Sequence, residues 1–313
     1  DGGLMAIKAS GFCLKDIEVD KAYAVLDYEA LRKFYFESNP SDFEDVEKAG
    51  STKAKEVTKT IEGLAALRPS VEAGFHSILD TFVAHSHSVY ANLAACSANA
   101  REIVAEIAKD TPYAIGFVPY TNPGAKLTFS IRDEIRAVER ATGKKPSVIF
   151  MQNHGVIATH ADADECVRIH DDINARVKAY FGAKDYPKIE LNGNFSATKG
   201  LKERLASGRF GEEDLLKNPL YPDQMVFLIG AFGFGDGKPE EGQCLADPKT
   251  GRLVFNMDEG KAQVIAETIT AVTFIAHTIR KNGLTLSTMG EAAKKFIANW
   301  ESEKYRKSLA GKK

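Results

Sequence analysis

Cysteine is scarce in this chain of 313 residues, with only Cys13, Cys96, Cys166 and Cys244. They are widely scattered and no two form a CxxC pair, so no disulfide framework is expected, which suits a reducing compartment. A surplus of charge is also missing. The 41 Lys and Arg residues nearly balance 43 Asp and Glu, for a formal net charge of -2. Nothing therefore marks a polyanion-binding surface, and pairs such as Lys144-Lys145 read as solvated surface. No uninterrupted apolar run approaches the ~18 residues of a membrane span. There is no signal-peptide pattern, internal repeat or low-complexity tract. These absences lead to the expectation of a cytoplasmic protein without a nucleic-acid or membrane partner.

What is present is ordinary globular material: 44% hydrophobic and 27% charged residues. That is enough for a full core, in one large domain with an appendage or in two domains. The chain opens on Asp1-Gly-Gly and runs at once into a strand, Leu4 to Ala9, a hairpin pattern that implies a partner strand upstream of Asp1. Further along, Ile17–Asp27 is expected to be extended and Tyr28–Glu37 a helix. Ser38–Lys59, polar and without a clear period, reads as a surface excursion. A long helix is expected from Ser88 to about Lys109, a short strand at Gly116–Tyr120, and a helix at Leu127–Thr142. Pro146–Gln152 is an apolar run suited to a buried strand, Val156–Thr159 returns as another, and Asp162–Phe181 is an amphipathic helix with an acidic first turn. From Gly182 the texture changes. Strands are expected at Met225–Ile229 and Leu253–Asn256, and helices at Leu201–Gly208, Gly260–Lys281 and Thr288–Tyr305.

The chemistry centres on Thr81-Phe-Val-Ala-His-Ser-His-Ser-Val-Tyr90. Side chains two apart on a strand share a face, so His85 and His87 project together where the strand ends. His154 ends the second apolar strand and is followed by Gly155, which allows a tight turn. Taken singly, each histidine has an ordinary reading as a hydrogen-bonded structural residue. Together, three neutral imidazoles with an open fourth position make a catalytic zinc-type site. Glu72, thirteen residues before His85 at an expected helix start, is either a solvated helix residue or a proton shuttle beside the metal. His76, His160, His170 and His277 read as structural, and Cys96 and Cys166 as buried and inert. The glycine-rich Gly230–Gly237 opens no clear βα unit, so no nucleotide loop is expected.

Arg68-Pro-Ser-Val-Glu72, Val83-Ala-His-Ser-His87 and Phe150-Met-Gln-Asn-His-Gly155, followed by a helix carrying Glu165 and His170, resemble the class II aldolase/adducin family. The likeness is to its fuculose- and rhamnulose-phosphate aldolase branch and spans about Leu4 to Phe181. It implies a three-layer α/β fold, with a central mostly antiparallel sheet flanked by helices, over residues 1–185. Residues 186–313 would form a small α/β extension, similar through Leu220–Phe227 to those of longer bacterial members. The resemblance makes His85, His87 and His154 the ligands of a divalent metal, most plausibly Zn2+, with manganese, cobalt or iron as alternatives. Glu72 becomes the acid/base, and Ser10 and Gly11 help to hold a substrate phosphate. The family's other phosphate loop, a Gly-Asn-x-Ser pattern, would lie before Asp1. The family implies a homotetramer with sites between subunits, where a tyrosine from a neighbour, Tyr113 or Tyr120 here, can reach the site. The implied activity is a ketose-phosphate aldolase, a metal-dependent lyase that acts through an enediolate. The alternatives are an epimerase, dehydratase or decarboxylase on the same scaffold, or a non-catalytic adducin-like interaction module.

Overall fold

The computed structural model describes residues 2–12, 14–189, 191 and 199–299. Strands β1 (Leu4–Lys8) and β2 (Tyr23–Asp27) pair antiparallel, Leu4 opposite Asp27, and β3 (Thr58–Lys59) adds to the other edge of β2. Alternation turns Ala24 and Leu26 into the core. Asp27 then caps helix α1 (Tyr28–Glu37), its carboxylate accepting from the Ala30 N–H. The polar stretch expected as an excursion instead holds helix α2 (Val46–Glu56). Asp45 caps it, and Val46 and Gly50, four apart, form a buried stripe too narrow to show as a period.

The middle of the chain supplies α3 (Ala73–Ile78), β4 (Phe82–Ser86), α4 (Val89–Ala95), α5 (Ala100–Ala108), β5 (Ile115–Val118), α6 (Ala125–Thr142), β6 (Val148–Met151), β7 (Gly155–His160) and α7 (Ala163–Tyr180). The four strands form one sheet in the order β4-β7-β6-β5, antiparallel except for the β5–β6 pair. All of β6 is buried, and its period of two sorts side chains into two layers. Val148 and Phe150 join α4, α5 and α7 on one side; Ile149 and Met151 join α1, α3 and α6 on the other. This is the expected three-layer arrangement. The single helix expected from Ser88 to Lys109 is broken at Cys96–Asn99. There the Cys96 carbonyl accepts from the Ser287 N–H, and the Ala98 N–H donates to the Thr285 carbonyl. A later segment of the chain has taken the backbone groups that a continuous helix would pair.

That later part contains α8 (Lys199–Ala206), α9 (Pro222–Leu228), β8 (Phe232–Phe234), β9 (Gln243–Ala246), β10 (Leu253–Asn256), α10 (Glu259–Lys281) and α11 (Glu291–Asn299). Its strands form a third sheet in the order β10-β9-β8. Of Met225–Ile229, expected as a strand, Met225–Leu228 belong to helix α9 and Ile229 is its extended C-cap; Pro222 occupies the first turn, where a missing N–H costs nothing. The helix expected over Thr288–Tyr305 begins at Glu291, and residues 300–305 lie outside the described ones. Helix α10 is long and apolar enough, by length and composition, to cross a membrane, although Gln263, Glu267 and His277 interrupt any continuous apolar run. Most of it is buried inside the molecule. Ile265, Ile269 and Phe274 share one hydrophobic cluster with Leu93, Phe150 and Ile173, so a single core runs from the four-stranded sheet into the C-terminal part.

Candidate metal centre

Strand pairing brings the histidines together. His85 lies opposite Ile157 and Ser86 opposite Val156, which leaves His87 level with the start of β7 and next to His154. Gly155 matters through close approach, not through a special backbone angle. A Cβ there would sit 2.3 Å from the Ser86 carbonyl oxygen. The turn is made two residues earlier than expected, at Asn153, whose φ is +53°. Ring centroids are 5.1 Å apart for His85–His87, 5.2 Å for His85–His154 and 4.8 Å for His87–His154.

Glu72 occupies the N-cap position of α3, yet its carboxylate caps nothing. It turns to the imidazoles, with Oε1 3.1 Å from His154 Nε2 and 3.5 Å from His85 Nε2. One ligand atom from each of Glu72, His85, His87 and His154 lies within 4.8 Å of the others. Burial works to raise the Glu72 pKa, but the electrostatic pull of the adjacent His85 and the hydrogen bond from His154 outweigh it and hold the carboxyl well below the usual range. His154 is lowered as well, to about 4, because burial outweighs its hydrogen bond to Glu72. An ionised carboxylate beside a neutral imidazole is the protonation state that a cation requires.

The outer nitrogens of the β4 histidines are anchored. His85 Nδ1 donates to the Val156 carbonyl at 3.0 Å, and His87 Nδ1 meets Asp223 Oδ2 at 2.6 Å. Both Nε2 atoms are thereby left as acceptors. His85 Nε2 is buried without a hydrogen-bond partner, as is His154 Nδ1. Leaving such an atom unsatisfied costs about 1–3 kcal/mol, which a cation at the His85 nitrogen would relieve. Three imidazoles, a carboxylate and anchored outer nitrogens therefore fit a zinc-type ion.

Ser10 and Gly11 follow β1, just past the Ala9 bridge to Pro69. Ser10 is buried, its N–H donates to the Arg68 carbonyl at 3.0 Å, and Gly11 has φ +89°. They flank the segment leading to Glu72, whose own N–H donates to Ser70 Oγ at 3.3 Å. A cleft of about 950 Å3 also reaches that segment, with Lys48, Lys55, Lys59, Arg68 and Ser70 in its wall. Neither Ser10 nor the histidines line it. The remaining histidines take structural places. His76 stacks on Phe75, His160 Nδ1 accepts from the Asp162 N–H, and His170 bonds Ser86 on the opposite face of β4. Tyr113 packs under Arg168, and Tyr120 against the α9–α11 cluster.

Sequence reasoning missed Asp223 and the residues that hold its segment. Asn153 Nδ2 donates to the carbonyls of Leu220 and Ser287, at 2.8 and 2.9 Å, while its Oδ1 accepts from Ser287 Oγ. The Tyr221 ring lies 6.3 Å from that of His87. The only signal was the Leu220–Phe227 stretch, and nothing local linked it to a histidine.

Fold and cluster together define an α/β protein with a candidate single-ion centre at the end of paired strands. The chain belongs to the class II aldolase and adducin family: residues 1–180 match its description, "Class II Aldolase and Adducin N-terminal domain". Among solved structures it is similar to the N-terminal class II aldolase domain of a conserved protein from Thermoplasma acidophilum. The identity is 20% over 55% of this chain and 72% of that one, with a TM-score of 0.43. No curated protein matches the chain.

Proposed function

We propose that this protein is a metal-dependent carbon–carbon lyase that cleaves or forms a bond in a ketose phosphate, working as a cytoplasmic homotetramer. The observation that carries the reading is the convergence of Glu72, His85, His87 and His154 within 4.8 Å. A non-catalytic scaffold has no need of an ionised carboxylate facing three imidazoles. A divalent ion held there, Zn2+ by the chemistry of the donor set, would act as a Lewis acid on the substrate's ketone and hydroxyl oxygens and stabilise enediolate charge.

The chain's own residues do the rest. His85, His87 and His154 would hold the ion. In the cleavage direction Glu72 Oε1 takes the proton of the hydroxyl on the carbon that becomes the aldehyde and returns a proton to the carbon left when the bond breaks, and its location beside two imidazoles keeps it ionised between turnovers. No Schiff-base lysine is required. The substrate phosphate is assigned to the side of Arg68–Val71 where Ser10 lies. With the Ser10 N–H committed to Arg68, its hydroxyl is the group available there. Epimerisation, dehydration and decarboxylation use the same enediolate machinery, so substrate screening must follow all of these products.

The test is elemental analysis of wild type, His85→Ala and His154→Ala, with wild type then assayed on ketose phosphates for aldehyde release. About one ion per chain, lost in both variants, is expected. A wild type without metal, or variants that keep it, overturns the centre. Light scattering checks the tetramer.

A further inference from the structure

We infer that Asp223 is the positioning residue that makes His87 a metal ligand, so that the chain beyond the aldolase domain completes the centre instead of only covering it. This deepens the metal reading above and rests on it. The Asp223 carboxylate can only accept when ionised, so its 2.6 Å contact assigns the proton to His87 Nδ1 and the lone pair to Nε2. In the opposite tautomer an N–H would point into the cluster and block ligation. His85 is set the same way, but by a carbonyl of its own sheet, from Val156. His87 instead depends on a side chain 136 residues further along.

Asp223 has little freedom to be elsewhere. Pro222 opens α9 in front of it. The Leu220 carbonyl accepts from Asn153, next to the ligand His154, and the Leu220 N–H donates to Gln224 Oε1 at 2.8 Å. Gln224 Nε2 in turn donates to the Asp214 and Leu215 carbonyls. Tyr221 is buried alongside. Residues 220–224 are thus tied on both sides of Asp223, and they hold the carboxylate against His87 before any ion arrives. Asp223 lies outside the four-residue cluster itself, consistent with a partner of a ligand and not with a further ligand.

The experiment compares wild type with Asp223→Ala and Asp223→Asn. In the metal-free proteins, long-range 1H–15N spectra of the histidine rings report the tautomer directly. Wild-type His87 is expected as the Nδ1–H form and Asp223→Ala as a mixture rich in the Nε2–H form. Identical spectra overturn the assignment. Titration with Co2+, followed by its visible absorption, is expected to show binding 10–100-fold weaker in Asp223→Ala. Asp223→Asn, which keeps an acceptor oxygen and can replace an Ala variant that fails to fold, should fall in between. Equal Co2+ affinity in wild type and Asp223→Ala also overturns the proposal. A wild type that takes up no Co2+ rejects the metal reading, and the ring spectra then decide the role of Asp223 without it.

Discussion

At the scale of single residues, Glu72 has the most distinctive task. On the function proposed above, its replacement by Gln removes the proton carrier while leaving three imidazoles in place. Turnover is expected to fall by about 10²–10⁴-fold with metal content retained, read by steady-state kinetics beside elemental analysis. Buried neutral histidines also leave a mark on stability. Burial, with His85 charge added for His76, lowers both His76 and His154 from 6.5 to about 4. Unfolded chains bind those protons near pH 6.5, and the folded metal-free protein does so only near 4. Their contribution is therefore complete above pH 6.5 and disappears as pH falls towards 4, by on the order of 3 kcal/mol for each at full shift. Melting midpoints of the metal-free protein should drop across that window, and His76→Gln should flatten the drop. The histidines were legible in the sequence because a strand's period of two is a strong rule. Asp223 was not, because a contact over 136 residues leaves no local pattern.

Among the elements, those with a strong cap and a wide apolar stripe could be read with little error. Tyr28–Glu37 was placed to the residue, and α7 starts one position after its Asp162 cap. The misses share a cause: tertiary partners override a weak local signal. α2 is held by two buried positions, α9 by a proline that reads as a breaker, and the α4–α5 break by Thr285–Ser287. The β4–β7 pair offers the sharpest test. Gly155→Ala would drive a Cβ into the Ser86 carbonyl, where backbone cannot yield without parting the strands. Unfolding in urea should show a loss of about 3–5 kcal/mol, and the two strands that carry the histidines should separate enough to lose the ion. A variant as stable as wild type would mean that the strands do not approach as described.

For the molecule as a whole, the shared hydrophobic cluster makes a prediction about dissection. Cutting after residue 185 would uncover the face of α4 that packs on α10 and open the cluster that holds Leu93, Ile173 and Val177. Residues 1–185 alone are expected to bind a hydrophobic dye and aggregate, whereas the full chain does not. A monodisperse, cooperatively melting fragment would refute this. The fold of the first part was legible as a layered sheet, but the common core was not, since apolar periodicity says which face is buried and never against what. The distance along the chain between His87 and Asp223 also has a consequence in time. A ribosome adding 5–20 residues per second needs roughly 7–27 s to go from one to the other. Throughout that interval the nascent chain carries its histidines without the carboxylate proposed to orient one of them, so full affinity for an ion would be a property acquired late in synthesis.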